Sequence, residues 1–561
     1  MATHPLSPLT VAEIEQGAAL VAAQLGEQAT FSSVNLLEPE KAKVLAHQPG
    51  DSVERQLRFV GYDYPGEGQR DGGFEGIVNL QTEAVAIHRI ETGHAAIGLA
   101  DFVTAVTITK ADSGWQDAMR ARGVTDFDLV QIDPWPTGGY QHPSIPQGHR
   151  VHRAISFVKE DPTDNAYARP VQGLIAHVDL TAGKVAYLED HGVVPLPAQG
   201  ARYDAASQPH FRDSLRPIDI TQPEGASFQV DGHAVQWEGF NFRVSIHPTN
   251  GLVLHQLSYQ DGDENRSILY RAALSEMVVP YGDTDPMHNW KHVFDAGEAN
   301  IGSLTNSLTL GCDCLGEIYY FDHNVVNWNG TARTIENAIC MHEEDYGILW
   351  KHHDGLTQST EVRRSRRLVV SAVHTVGNYE YGFFWYLYLD GTIQMEVKLT
   401  GIIGVNAVED GGERPDVAPL VAPNVTSPIH QHLFCFRLDF NIDGLENSVY
   451  EVEAEPLPVD EDNPHGSAFR AKTTLLESEQ QAQRDCYPQR SRYWKVVNPK
   501  RRNGLGKPVA WKLLPAATPT CAKSWLNVGG TSPLLIFSAG SPSKANWARS
   551  AAPSALGSPE N

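Results

Sequence analysis

Phe383-Phe384-Trp385-Tyr386-Leu387-Tyr388-Leu389 is the most apolar and aromatic run of the chain, and Asp390-Gly391 closes it. Its length suits a β-strand and falls far short of the ~18 residues a membrane-spanning helix needs. Thr392 to Leu399 follows as another strand-like run. Working outward, comparable runs appear at Leu252 to Leu257, Glu317 to Phe321 and Arg367 to Val373, separated by Gly, Asn, Asp and Pro. From about residue 226 this pattern predicts a large, mainly antiparallel β-sandwich.

The N-terminal part reads differently. Thr10 with Glu13 fits a capping box, and helical spacing of apolar residues continues through Val21, which predicts a helix over 10–25. Strands are expected at Gln56 to Tyr62 and Gly76 to Asn79. A second helix is expected from Ala111 to Arg122 with Gly123 as its stop, then strands at Phe127 to Ile132, His152 to Phe157 and Gly173 to Asp179. The expected organisation is two small α+β domains, 1–95 and 96–225, read as a divergent repeat. The β-sandwich follows over 226–520. Ser, Ala, Gly and Pro dominate 521–561, which reads as a divergent, low-complexity, poorly ordered tail.

Composition narrows the function classes. Lys and Arg number 44 against 68 Asp and Glu, a formal net charge of -24, which argues against a nucleic-acid partner. No run is long enough to span a membrane. The N-terminus lacks the basic and apolar regions of a secretory signal, and Ser558-Pro559-Glu560-Asn561 matches no peroxisomal or retention signal. The expectation is an intracellular protein, cytoplasmic or peroxisomal. Six cysteines in 561 residues make no disulfide scaffold.

His430-Gln431-His432 is the best metal signal. On a strand, residues i and i+2 share a face, so the two imidazoles would form a chelating pair for copper or zinc. Phe434 and Phe436 continue the alternation. Two histidines on a solvated face would carry the same spacing. Asp295 would be a general base if buried beside an apolar cavity, where desolvation raises a carboxyl pKa; otherwise it is an ordinary turn aspartate. Cys312, Cys314 and Cys340 lack a tetrahedral zinc pattern, so a disulfide plus one free thiol competes with a thiol metal site. Arg363-Arg364-Ser365-Arg366-Arg367 reads as a solvated or salt-bridged strand entry.

Several fragments, in this order and spacing, resemble the copper amine oxidases. They are Asp126 to Trp135, Val279-Pro280-Tyr281-Gly282-Asp283, Phe294 to Glu298, Gly311 to Gly316, Cys340 to Asp345, Gly377-Asn378-Tyr379-Glu380-Tyr381-Gly382 and His430-Gln431-His432. The resemblance covers about residues 5 to 520. It implies that Tyr379 matures to topaquinone, in a self-catalysed reaction needing copper(II) and O2. It implies that Asp295 is the catalytic base, that Tyr281 hydrogen-bonds a quinone oxygen and that Asn378 orients the ring. His430 and His432 match two of three copper ligands, Cys314 and Cys340 match a disulfide, and Asp439 resembles a ligand of a second, calcium- or manganese-type site. Trp135 would line the substrate channel and Val293 would be its gate. The implied reaction is oxidative deamination of a primary amine to aldehyde, ammonia and hydrogen peroxide, by a homodimer whose first arm lies around Lys351 to Arg363.

One departure stands out. The only histidine after His432 is His465, in a loop-like stretch unlike the family's third-ligand segment, and the resemblance ends after Thr520. This predicts a chain truncated at its C-terminus, with copper held by two imidazoles. The alternative function is therefore a catalytically impaired homologue.

Overall fold

The computed structural model describes residues 4–515 apart from 27, 64–71, 138–140 and 209. The tail over 521–561, and with it the expected change of character near Cys521, lies outside the described residues.

Near the N-terminus the helix Val11–Leu25 forms as its cap predicts. The Thr10 hydroxyl accepts the Glu13 N–H and the Glu13 carboxylate accepts the Thr10 N–H, satisfying two donors that a helix start otherwise leaves open. Ile14, Ala18 and Val21 form its buried stripe. They pack with Phe31, Leu57, Phe59 and Phe74 from an antiparallel sheet of Thr30–Leu36, Gln56–Tyr62, Phe74–Asn79 and Val85–Arg89, adjacent in that order.

The next region repeats that plan with one correction. In place of a single helix from Ala111 there are two, Leu99–Ala111 and Ser113–Ala121, and the break falls at Asp112, whose carboxylate accepts the Trp115 N–H. Val103, Thr104, Val106, Thr107, Ile108 and Thr109 make the first helix β-branched and low in helix propensity, so its sequence reads poorly as helix. Tertiary contacts decide the matter. Ala105 is buried in the core, and Asp101 is clamped by Arg150 through two bonds of 2.7 and 3.1 Å. The sheet beneath runs Val130–Pro136, Val151–Val158, Pro170–Asp179, Lys184–Asp190. Every residue of its two central strands is buried.

By compactness the described residues fall into two units. The first comprises Met1–Gln229, Ser245–Leu252 and Val278–His432; the second comprises Val230–Val244, Val253–Met277 and the described chain from Leu433. The first unit holds a five-stranded antiparallel meander: Ile318–Val326, Ala332–Asp354, Ser359–Val376, Tyr379–Tyr388 and Ile393–Gly401, each paired with the next. The aromatic run Phe383 to Leu389 supplies most of the fourth strand, whose neighbours on both sides explain its burial. The arginines at 363, 364, 366 and 367 pair with Glu361, Asp345, Glu343 and Glu344, a salt-bridged strand as expected. In the second unit Phe469–Leu476, Ser448–Pro456, Tyr493–Arg502 and Pro508–Leu513 form an antiparallel sheet over Ile442, Val449, Trp494 and Val496. The fold is thus mostly antiparallel sheet with a few N-terminal helices.

Candidate active site

Tyr379 opens the fourth strand of the meander, immediately after a turn in which Gly377 adopts φ 59°. Its register partner Gly401 has φ 96°, and a Cβ there would sit 2.6 Å from the Asn378 carbonyl, so the close approach of the two strands requires glycine. The Asn378 amide donates to the Ile402 carbonyl at 2.6 Å and ties down the turn. Tyr379 is held at its hydroxyl: Gly404 N–H donates to it at 3.1 Å, the Tyr281 hydroxyl donates to it, and it lies 2.9 Å from His430 Nε2. Burial raises the pKa of this phenol.

Residues 280–282 and 429–431 run antiparallel through bonds Gly282 N–H to Ile429 O and Gln431 N–H to Pro280 O, with Tyr281 opposite His430. The strand expected to carry the histidine pair begins only at Leu433; His430 sits in a single bridge and His432 in the extended segment that follows. Extended geometry still brings the two rings together, with centroids 4.9 Å apart. His430 Nδ1 lies 2.8 Å from the Pro428 carbonyl, which can only accept, so Nδ1 carries the proton and Nε2 offers a lone pair. Tyr381 donates to Asp295 Oδ2 at 3.1 Å, so toward His432 Nδ1, 3.2 Å away, its hydroxyl accepts. His432 Nε2 is thereby left unprotonated too. Burial lowers the pKa of both imidazoles, that of His432 to about 4. At neutral pH the pair presents two Nε2 ligand atoms, the state a metal requires.

Asp295 is 3% exposed. Its bond from Tyr381 completes a line His432–Tyr381–Asp295 beside Tyr379, whose ring centroid lies 6.4 Å from that of Tyr381. Tyr281, 2% exposed, is stacked between His430 at 4.8 Å and His288 at 5.5 Å, with Trp135 edge-on at 6.0 Å. Burial pushes the Tyr281 phenol well above its ordinary pKa and the His288 imidazole well below. Lys291 is buried with Nζ 4.2 Å from the Trp135 ring centre, and burial brings its pKa down to about 7. Val293 is half-buried, paired with Val279. Cys314 and Cys340 are joined in a disulfide, while Cys312 is a free, exposed thiol.

Asp295, Tyr281, Asn378, Tyr379, His430 and His432 are therefore gathered in the first unit. Asp439 is half-buried on Leu433–Phe440 and His465 is exposed in a turn, both in the second unit. Sequence reasoning passed over Tyr381, His288 and Lys291. Tyr381 carried a signal: it stands two residues after Tyr379 on a strand, hence on the same face. Among the described residues, the one cluster of three His, Cys, Asp or Glu ligand atoms lying within 4.8 Å of one another is Cys314, Cys340 and His342.

Residues 229–530 match the family model "Copper amine oxidase, enzyme domain", residues 100–207 match "Copper amine oxidase, N3 domain" and residues 10–86 match "AGAO-like N2 domain". The chain is 43% identical over 517 residues to a primary amine oxidase of Arthrobacter sp. (strain P1), covering 91% of this chain and 78% of that one. It is 41% identical to a histamine oxidase of Arthrobacter globiformis, covering 93% and 76%. Among solved structures it resembles a copper-containing benzylamine oxidase from Hansenula polymorpha, with TM-score 0.84, 26% identity and coverage of 93% and 84%.

Proposed function

This chain belongs to the copper amine oxidase family and is an amine oxidase, and from that premise we propose that it oxidises a primary amine with O2 to an aldehyde, ammonia and hydrogen peroxide, with Tyr379 as the topaquinone precursor and His430 and His432 as copper(II) ligands. The observation that carries the proposal is the Tyr379 hydroxyl set 2.9 Å from His430 Nε2, with the His432 ring centroid 5.1 Å from that of Tyr379. Copper fits these residues: two neutral imidazoles with unprotonated Nε2 atoms suit it, that of His430 facing the Tyr379 hydroxyl, and the Pro428 carbonyl behind His430 Nδ1 fixes the ring as an outer partner does in metal sites. Topaquinone, when formed, supplies an electrophilic carbonyl and an electron sink.

The remaining steps belong to the chain's own side chains. Asp295 takes the proton from the amine's α-carbon, and the Tyr381 hydroxyl aims its Oδ2. Tyr281, immobilised between two imidazoles, directs its hydroxyl at the oxygen on Tyr379. Asn378 and Gly404 fix the backbone around that ring. Trp135 and Val293 are proposed as channel wall and gate. Asp295, Tyr281 and Tyr381 are buried and Asn378, Tyr379, His430 and His432 half-buried, which keeps water from the base and preorganises its hydrogen bonds.

A homodimer is proposed from the distal part of the hairpin formed by Ala332–Asp354 and Ser359–Val376. There Ile348, Trp350, Val362 and Leu356 are exposed, Leu356 at 97%, on a two-stranded ribbon, a form that is marginal without a partner. Asp439 is proposed as a ligand of a calcium- or manganese-type second site on the family resemblance, and the domain boundaries near 95, 225 and 520 on the sequence pattern. No helix among the described residues is long and apolar enough to cross a membrane. A cytoplasmic or peroxisomal setting is proposed; a diamine oxidase of Nicotiana tabacum and a primary amine oxidase of Pichia angusta carry "peroxisomal" in their names.

The test is a phenylhydrazine titration of the purified chain after aerobic incubation with copper. One coloured adduct per chain, absent from Tyr379→Phe, is expected. Folded protein with bound copper and no adduct would overturn the proposal.

A further inference from the structure

The disulfide region contains more than a disulfide. Cys340 and His342 alternate along the strand Ala332–Asp354, so their side chains share a face, and Cys314 reaches the same spot from a turn. Cys314, Cys340 and His342 are 7%, 0% and 6% exposed. His342 Nδ1 lies 3.4 Å from Cys340 Sγ, and all three ligand atoms lie within 4.8 Å of one another. Thiolate and imidazole ligands at ~2.3 and ~2.0 Å from one tetrahedral zinc stand roughly 3.5–3.8 Å apart, so small side-chain movements would suffice. Behind the imidazole, Glu344 Oε1 lies 3.2 Å from His342 Nε2. Arg367 holds the other carboxylate oxygen at 2.6 Å. A carboxylate placed there keeps the proton on Nε2 and turns the Nδ1 lone pair toward the sulfurs, the arrangement that orients histidine in metal sites.

We propose that Cys314, Cys340 and His342 form a second metal site, distinct from His430 and His432, that takes a thiophilic divalent cation of the zinc class once the disulfide is reduced. The balance is simple. A dithiol or phosphine reductant delivers two electrons to the sulfur–sulfur bond and is itself oxidised, and two protons convert the sulfurs to thiols. Cation binding then displaces those two protons, giving two thiolates and one imidazole on the metal, with water at the fourth position. Disulfide and metal-bound dithiolate are thus two alternative closures of the same buried contact between the Cys314 turn and the long strand.

The experiment uses the full chain, oxidised or reduced with a phosphine and desalted anaerobically, titrated with cobalt(II) as a spectroscopic stand-in for zinc and separately with zinc. The expected result is a sulfur-to-cobalt charge-transfer band and one extra zinc per chain in the reduced protein only. His430 and His432 carry no sulfur and produce no such band. Cys314→Ser and His342→Asn each remove the extra zinc, whereas Cys312→Ser keeps it. Because His342→Asn leaves the disulfide intact, its oxidised form reports folding by circular dichroism before reduction. Reduced protein with no band, or a band and extra zinc that persist in both Cys314→Ser and His342→Asn, would overturn the site. Neither readout depends on amine oxidation.

Discussion

Two pairs of side chains with the same i, i+2 spacing lie in the first unit and meet different neighbours. His430 and His432 face the hydroxyls of Tyr379 and Tyr381, and Asp295 stands behind Tyr381. Cys340 and His342 face Cys314, and Glu344 and Arg367 stand behind the imidazole. Extended backbone does the same for both: it aims alternate residues at one face. Chemistry is settled by what the rest of the chain brings to that face. Phenols and neutral imidazoles suit copper and a redox-active ring; sulfurs with an ionised carboxylate behind a histidine suit a disulfide or a soft cation.

The largest expected effect would separate the two regions outright. Tyr379→Phe removes the hydroxyl on which Gly404, Tyr281 and His430 converge. Amine turnover should fall by at least ~10³-fold, as when an essential covalent group is deleted, while zinc uptake by the reduced thiols stays the same. Turnover that survives would break the contrast. Next comes Asp295→Asn, where loss of a positioned base should lower kcat/KM roughly 10²–10⁴-fold. The phenylhydrazine adduct should persist, because ring formation is assigned to Tyr379 and the histidines. Loss of both adduct and turnover would assign Asp295 to maturation.

How much of this was readable beforehand differs along the same lines. The meander, the N-terminal capping box and the salt-bridged arginine strand follow from local pattern, since cap chemistry and period-two alternation are short-range. Helix Leu99–Ala111 was not readable, because β-branched residues argue locally for strand and only Ala105 and the Asp101–Arg150 clamp argue for helix. Within the candidate site, the motif residues stood out by content. Lys291 and His288 did not: their surroundings arise when Trp135, from a strand some 150 positions earlier, folds against Tyr281 and Lys291. No spacing rule reaches that far.

Lys291 sharpens the contrast through pH. Its folded pKa of about 7 lies below the ~10.4 of an unfolded lysine. Between those values the unfolded chain holds a proton that the folded chain lacks, so unfolding takes up a proton and stability rises with pH. The melting temperature of the native chain should therefore gain on that of Lys291→Met from pH 7 to pH 9; a constant difference would place the ammonium in water.

The smallest effect concerns buried histidines outside both clusters. His152 and His374 have pKa values lowered from 6.5 to about 4, chiefly by burial. From pH 6.5 down to 4 their unfolded forms take up protons that the folded forms refuse. Stability falls by about 1.4 kcal/mol per pH unit for each group across that window. His374→Gln keeps a polar side chain that can donate to the Thr305 hydroxyl oxygen, which lies 2.9 Å from His374 Nδ1 in the native chain and gives its own proton to the Gly302 carbonyl. Its thermal stability should decline less steeply than that of the native chain between pH 6 and pH 4. Parallel declines would mean that the imidazole becomes charged in place, and the burial argument used for His430 and His432 would weaken with it.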